Sequence, residues 1–283
     1  SNGNFITANA PSDSNAGPLT NFLEATTTTQ TASIIIPNFT TFALNVPLQV
    51  RTGGVVTASV SALYLPKLAT MSGGQITGTN TVNLVGDLMV DQNSTINPTT
   101  FLWGVDSPSH RTTVRASKRL DLTPNSIVRG GNPQEYRGHI VLETGATLNV
   151  NLGNSDSWTM AGNLEMGLGS SVTGDSIVNT GEVSGNGFVN VNRFENSGHV
   201  NPGRVFGGLR MNSTQYVQTP SGMLDVALGS STFGNGSGLL QAGTAQLAGT
   251  LALSLVSGFN PTLGTEYDIL TANSISGQFG NVL

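Results

Sequence analysis

Short stretches in which apolar residues alternate with small or polar ones recur along most of the chain. Between residues 42 and 90 they occupy positions 42–46, 48–50, 55–60, 75–77 and 82–90, with glycine pairs at 53–54 and 73–74 between them. Alternation with a period of two is typical of β-strands that bury one face. Since no helical pattern of ten or more residues separates these strands, the sequence predicts an all-β fold and argues against a parallel α/β architecture.

A repeat becomes visible after residue 142. Four glycines, each just before a short strand, follow one another at nearly equal intervals: Gly145, Gly162, Gly181 and Gly198. Segments 179–183 and 196–200 also align with each other, with asparagine over asparagine and valine over valine. A fixed short period is the signature of a solenoid, because each coil buries its apolar face only when a neighbour stacks on it.

We therefore predict a single-stranded parallel β-helix, for which a β-sandwich is the alternative. In such a coil Asn179 and Asn196 stack inside it or at its corner, and each side-chain amide bonds to the next. Residues 1–40 differ, because they are rich in turn residues and threonine, and we expect an irregular N-terminal segment there. Residues 41–283 form the predicted solenoid.

The last eighty residues continue the pattern of short strands cut by glycine turns, and we expect a cap-like module at about 204–283. Their motifs are Asn201-Pro-Gly, Ser221-Gly-Met-Leu-Asp-Val, Gly249-Thr-Leu, Gly258-Phe-Asn-Pro-Thr-Leu-Gly, Ile269-Leu-Thr-Ala and Gly277-Gln-Phe-Gly-Asn-Val. This succession resembles the closing rungs of secreted bacterial parallel β-helix proteins, the passenger-like domains of autotransporters and related repeat-rich surface proteins. The resemblance covers under a third of the chain, and it implies an extracellular or cell-surface location.

Two segments are candidates for contacts with other molecules. The β-branched run at 33–36 could be a first strand, a cap, or a strand that pairs with another chain through Ile34, Ile35 and Ile36. A segment at about 103–137, which we expect to be a loop insertion, holds six of the eleven lysines and arginines. They could bind an anionic polysaccharide or an acidic neighbour, or be neutralised by Asp106, Asp121 and Glu135. The basic candidates are Arg111, Arg115, Lys118, Arg119, Arg129 and Arg137.

Composition narrows the classes of function. The net charge of -5 and a pI near 5.0 argue against a nucleic-acid binder, which needs a basic face. The absence of cysteine excludes a disulfide scaffold and thiolate metal sites. No stretch approaches the roughly 18 consecutive apolar residues of a membrane span. The three histidines lack the spacing of metal ligands, and we expect neither a metal nor a cofactor.

Some β-helix proteins are polysaccharide lyases or glycoside hydrolases, and hydrolases need two carboxyl groups at a fixed separation. The sequence offers one arrangement of this kind, a line of Glu165, Glu182 and His199 at equal intervals along the chain. We interpret it as a ladder on the surface of the coil, and we predict no catalytic residues.

The pattern favours a non-enzymatic, exported structural or adhesive protein, an adhesin-like scaffold that could self-assemble end to end into filaments. Its expected partners are further copies of itself or a surface glycan. The alternatives are a polysaccharide-active enzyme and a carbohydrate-binding domain on a β-helix.

Overall fold

A computed structural model describes residues 6–7, 23–25, 33–36, 42–44, 47–58, 62–103, 110–122, 135–150, 157–203, 207–229 and 238–283. Every element among them is a β-strand. The strands are β1 Ile6–Thr7, β2 Leu23–Ala25, β3 Ser33–Ile36, β4 Phe42–Ala43, β5 Leu48–Arg51, β6 Val55–Ala58, β7 Ala62–Leu65, β8 Ala69–Ser72, β9 Gln75–Leu84, β10 Leu88–Gln92, β11 Ser94–Trp103, β12 Arg111–Val114, β13 Arg119–Leu122, β14 Glu135–Tyr136, β15 His139–Leu142, β16 Thr147–Val150, β17 Ser157–Met160, β18 Asn163–Gly174, β19 Ser176–Asn179, β20 Glu182–Asn190, β21 Arg193–Asn196, β22 His199–Pro202, β23 Gly207–Gln218, β24 Met223–Leu228, β25 Gly238–Leu247, β26 Thr250–Leu255, β27 Leu270–Gly277 and β28 Asn281–Val282.

The strands form three ladders of parallel pairs, here called A, B and C. Around β20, for example, residues 182–185 pair with β22 in ladder B, residues 187–190 lie in ladder A, and the next strand, β21, lies in ladder C. Several long strands, such as β18 and β20, contribute one half to ladder B and the other half to ladder A. From β3 to β28 the described strands visit the ladders in the constant order A, C, B.

All pairings between the named strands are parallel, which is not the arrangement of a β-sandwich. The prediction of an all-β fold with parallel strands is confirmed. Among the described residues no helix is long and apolar enough to cross a membrane.

In strands such as β5, β8, β15 to β17 and β19, alternate side chains point into one apolar core that all three ladders share. Leu148 of ladder A, Trp158 of ladder C and Leu164 of ladder B are each at most 1% exposed and belong to the same cluster. In β16 the outward positions alternate with buried Leu148 and Val150. This alternation is the periodicity read in the sequence, and it places most of the polar residues of the strands on the outer surface.

A column of glycines explains much of the repeat. A Cβ atom on Gly162, Gly181 or Gly198 would lie 1.9, 2.0 or 2.2 Å from the carbonyl oxygen of the glycine one rung earlier. The earliest of these neighbours is Gly138. Gly145 was expected to belong to the same series, but it lies in another turn, where its φ is 68° and its nearest neighbour is Ser117. The repeated glycines are therefore needed because consecutive turns pack backbone on backbone.

The predicted loop insertion at 103–137 is wrong for its central part. Within it, β12 pairs with β10 and β15 in ladder B, and β13 pairs with β11 and β16 in ladder A. The inward residues of these strands, such as Val114 and Leu120, are completely buried. The basic residues had concealed an ordinary alternating pattern, because they occupy the outward positions and the turn. The remaining parts, 104–109 and 123–134, lie outside the described residues.

Candidate interaction surfaces

The interior holds a ladder of side-chain amides at the last inward position of ladder C. Asn179 and Asn196 are Cα partners, both are 0% exposed, and Nδ2 of Asn179 donates to Oδ1 of Asn196 at 2.9 Å. The same Nδ2 also donates to the carbonyl oxygen of His199 in ladder B. The structure thus brings together the two asparagines that the alignment of the sequence repeat placed over each other.

The ladder continues through residues that the sequence analysis missed. Asn196 pairs with Gln218 in register, and Nδ2 of Asn196 donates to the Tyr216 hydroxyl at 3.3 Å and to the carbonyl of Met223 at 3.0 Å. The Tyr216 hydroxyl donates to Oε1 of Gln218 at 2.6 Å. Burial raises the pKa of this hydroxyl well above its usual range, so it remains a neutral donor.

Gln218 was missed because its turn is longer. The glycine that ends the turn after Asn196 is Gly198, two positions further along the chain. After Gln218 the corresponding glycine is Gly222, four positions further along. Nε2 of Gln218 donates to the carbonyls of Gly222, Ala248 and Thr250 at 3.2, 2.9 and 3.0 Å. The amides therefore bond turn carbonyls from one rung to the next, which is a structural task at the corner of the fold.

The predicted line of Glu165, Glu182 and His199 is only partly present. Glu182 and His199 are Cα partners, but Glu165 pairs with Ser184, two positions away from Glu182. The reason is that the circuit from Asn163 to its partner Glu182 is longer, by two positions, than the circuit from Glu182 to its partner His199.

Glu165 instead approaches the preceding rung. One of its carboxylate oxygens lies 3.5 Å from Nε2 of His139, and both side chains are substantially exposed. The three residues of the predicted line therefore occupy two outward columns of ladder B.

The described basic candidates are spread over strands of two ladders and the turns between strands. Arg111 is an outward residue of ladder B, where its backbone N–H donates to Asp87, and Arg137 is exposed between ladders C and B. Arg115 forms an ion pair with Glu143 at 3.0 Å, and Arg119 forms one with Asp121 at 2.8 Å.

The ion pair of Arg119 with Asp121 agrees with the alternative prediction that acidic neighbours neutralise the basic residues. Lys118 lies in the turn that connects β12 to β13, where its backbone N–H donates to the carbonyl of Arg115. Arg129, Asp106 and the side chain of Glu135 lie outside what the structure describes.

The run containing Ile34, Ile35 and Ile36 pairs within the chain. As part of β3 it lies between β1 and β6 in ladder A, with Ile34 opposite Ile6 on one side and Val56 on the other. Of the three interpretations of this run, the structure has a strand of the chain's own sheet, and pairing with another chain is not what it has. The circuit that leads from Ile34 to Val56 is similar in length to those between other rungs, which makes β3 an ordinary step of the ladder.

At the C-terminal edge of the sheet, defined as β27 and β28, the strands pair on one side only within the described residues. β27 pairs with β25, and β28 pairs with β26; on their other sides the described part of the chain supplies no strand. Six of the eight exposed large apolar side chains of the described residues lie between positions 253 and 283. They are Leu253, Leu255, Leu263, Ile275, Val282 and Leu283.

The loop between β26 and β27 partly covers this end of the core. Phe259 and Tyr267 meet edge to face, with ring centroids 6.1 Å apart, and both pack on the buried cluster. Leu263, at the tip of the loop, is fully exposed. An unpaired parallel edge next to exposed leucine and valine side chains is a surface suited to strand addition.

No group of three or more residues able to hold a metal ion occurs in the described ranges. Comparison with known proteins adds no assignment, because no protein-family model, curated protein or solved structure matches the chain.

Proposed function

We propose that the chain is a non-enzymatic structural or adhesive protein of the cell exterior, built as a single-stranded parallel β-helix that stacks end to end with further copies. The extracellular part of this proposal depends on the resemblance of residues 201–282 to the closing rungs of secreted β-helix proteins. The end-to-end part depends on the C-terminal edge.

Closure of the three ladders into one coil is supported by their order and by their core. The described strands visit ladders A, C and B in turn, and each ladder stacks residues that are one circuit apart in sequence. Inward residues from all three ladders join one apolar cluster. A chain that repeats three ladders around a common core has the connectivity of a helical coil.

The observation that carries the assembly proposal is the one-sided pairing of β27 and β28 within the described residues, together with their exposed apolar side chains. A parallel ladder presents complementary backbone groups at its two edges, so the last strands of one molecule fit the first strands of the next. Such a contact is head to tail and does not close on itself, and it therefore yields a filament. Burial of Ile275 and Val282, which are 51% and 64% exposed, would add a hydrophobic contribution.

The test compares assembly of the unmodified chain with that of Ile275→Lys combined with Val282→Lys. We expect the unmodified chain to form rods that lengthen with concentration in sedimentation velocity and electron microscopy, and the double variant to remain as single rods. The matched control is Leu168→Lys, because Leu168 is 68% exposed and lies in the middle of β18, away from this edge. Equal assembly of the double variant and the control would refute the proposal.

A polysaccharide-active enzyme is the competing function. Its test is the release of reducing sugars from acidic and neutral polysaccharides by the unmodified chain and by Glu182→Gln. We expect no release above the buffer blank. Release that disappears in Glu182→Gln would replace the structural proposal with an enzymatic one.

A further inference from the structure

A strip of side chains, all polar except Phe188, runs along the outer face of ladder A, and nothing in the end-to-end assembly uses it. Its two columns are in register over consecutive rungs from β13 to β20. One column contains Arg119, Thr147, Ser171 and Phe188, and continues to Arg210. The other contains Asp121, Asn149, Thr173 and Asn190. We call these nine residues the lateral polar strip.

Hydrogen bonds between rungs hold the strip in one arrangement. Thr173 donates to Oδ1 of Asn149 at 2.9 Å, and Nδ2 of Asn149 lies 3.4 Å from Oδ1 of Asp121. In the other column the Ser171 hydroxyl donates to Oγ1 of Thr147 at 3.1 Å. Because the donors and acceptors are fixed before a ligand arrives, little conformational entropy is lost on binding.

The directions of these bonds leave defined groups for a ligand. The Thr147 hydroxyl accepts from Ser171 and keeps its own hydrogen, and the Asn149 amide keeps a second N–H. The hydroxyl oxygens of Ser171 and Thr173 retain lone pairs. Neighbouring rungs of a parallel ladder are ~4.8 Å apart, which is close to the length of one sugar ring in an extended glycan.

Arginines bound the strip at both ends. The Arg210 guanidinium lies 5.6 Å from the centroid of the Phe188 ring, which orients the positive charge on the outer surface. At the other end Arg119 is paired with Asp121, and its side chain is 59% exposed. A planar guanidinium binds a carboxylate through two parallel hydrogen bonds, which a neutral sugar cannot supply.

We propose that the lateral polar strip binds an extended acidic polysaccharide, with the sugar hydroxyls on the threonine, serine and asparagine side chains and a carboxylate on Arg210. The strip faces sideways, whereas the assembly contact lies at the C-terminal edge. Glycan binding and filament formation are therefore separate properties, and each can fail without the other.

The experiment is affinity electrophoresis of the full chain in gels containing polygalacturonate, alginate or hyaluronate, with fully methyl-esterified polygalacturonate as the uncharged counterpart. We expect retardation by at least one of the acidic polymers and none by the ester. Arg210→Gln should weaken binding roughly tenfold, the loss expected for one charge-assisted contact. Thr147→Val combined with Ser171→Val should weaken binding by a similar factor, because it removes two hydroxyl groups that the ligand would contact. The strand itself should persist, since valine is a good strand former.

The matched control is Arg193→Gln. Arg193 is an outward residue of ladder C that bonds Glu195 at 2.8 Å, so its change removes the same charge from a different face. Binding should persist in this variant. The proposal is overturned if none of the acidic polymers retards the unmodified chain, if the ester binds equally well, or if Arg193→Gln and Arg210→Gln weaken binding to the same extent.

Discussion

At the scale of single residues, the interior combines an apolar core with a few fully buried polar groups. Asn179, Asn196 and Gln218 bond carbonyls at the corner of ladder C, and His110 lies under the turn near residue 85. Each of these polar groups replaces the hydrogen bonds of water with bonds inside the protein. Truncation of one of these side chains should therefore lower the free energy of unfolding by more than the loss of its few atoms suggests, because its partners are left without a hydrogen bond.

The variant Asn196→Ala tests the amide ladder. It removes the acceptor of Asn179 and the donor to Tyr216, both of which are buried. We expect a loss of about 3 kcal/mol in the free energy of unfolding, because buried partners are left unsatisfied. Urea denaturation would measure it, with exposed Asn192→Ala as a control that should stay within about 0.5 kcal/mol. A loss equal to that of the control would show that the ladder contributes nothing.

His110 should make stability depend on pH. It is 1% exposed, with Nε2 3.0 Å from the Thr112 hydroxyl and Nδ1 3.3 Å from the carbonyl oxygen of Val85. Burial lowers its pKa below the ordinary value of 6.5, partly opposed by the bond to Val85. The unfolded chain therefore binds the proton more readily, and stability is full above about pH 6.5 and falls as the pH drops below it.

Thermal or urea midpoints at pH 7.5 and pH 5 measure this effect. The unmodified chain should lose more stability at pH 5 than His110→Gln, which has no titrating ring at this site. An identical pH profile for the two proteins would contradict the account.

At the scale of strands and turns, the glycine column sets how closely rungs approach. Gly181→Ala would place a Cβ atom 2.0 Å from the carbonyl oxygen of Gly162, so the backbone must move. We expect a loss of about 2–4 kcal/mol, typical of overpacking against rigid neighbours.

Gly169→Ala is the comparison for this effect. Gly169 has a φ of 67° but nothing within 4 Å of its Cβ position, so only backbone strain of about 1–2 kcal/mol is expected. Thermal unfolding distinguishes the two changes. A smaller loss in Gly181→Ala than in Gly169→Ala would refute close turn packing.

The same scale shows how far the sequence predicts the structure. Parallel stacking is predicted correctly from three features of the sequence, because each reflects a contact that recurs at every rung. They are the period-two alternation, the glycine turns, and the recurrence of an asparagine at 179 and 196. The pairing of Glu165 with Ser184 was not predicted, because the number of residues per circuit varies between rungs. Each such change shifts the position at which an outward residue meets its neighbour. The strands within 111–122 were missed because arginine and lysine at outward and turn positions conceal the inward valine and leucine residues.

At the scale of the whole molecule, the three ladders share one core, and β27 and β28 pair on one side only within the described residues. These features are the basis of the proposal that copies of the chain stack end to end. In the proposed assembly the outward columns would continue from one molecule to the next, and the lateral polar strip is one of them. These properties depend on the chain returning to the same three faces at every circuit.

Disulfide formation by introduced cysteine pairs tests that central claim most directly, since the natural chain has no cysteine. One pair replaces Ser171 and Phe188 in ladder A, one Glu182 and His199 in ladder B, and one Ser176 and Arg193 in ladder C. Neighbouring Cα atoms in a ladder lie within the range that a disulfide spans.

The control pair replaces Glu165 and Glu182, which are two positions out of register. We predict that all three in-register pairs oxidise rapidly in the folded protein and that the control pair oxidises much more slowly. Failure of the pair on any one face, or equal oxidation of the control, would contradict a coil made of three stacked ladders.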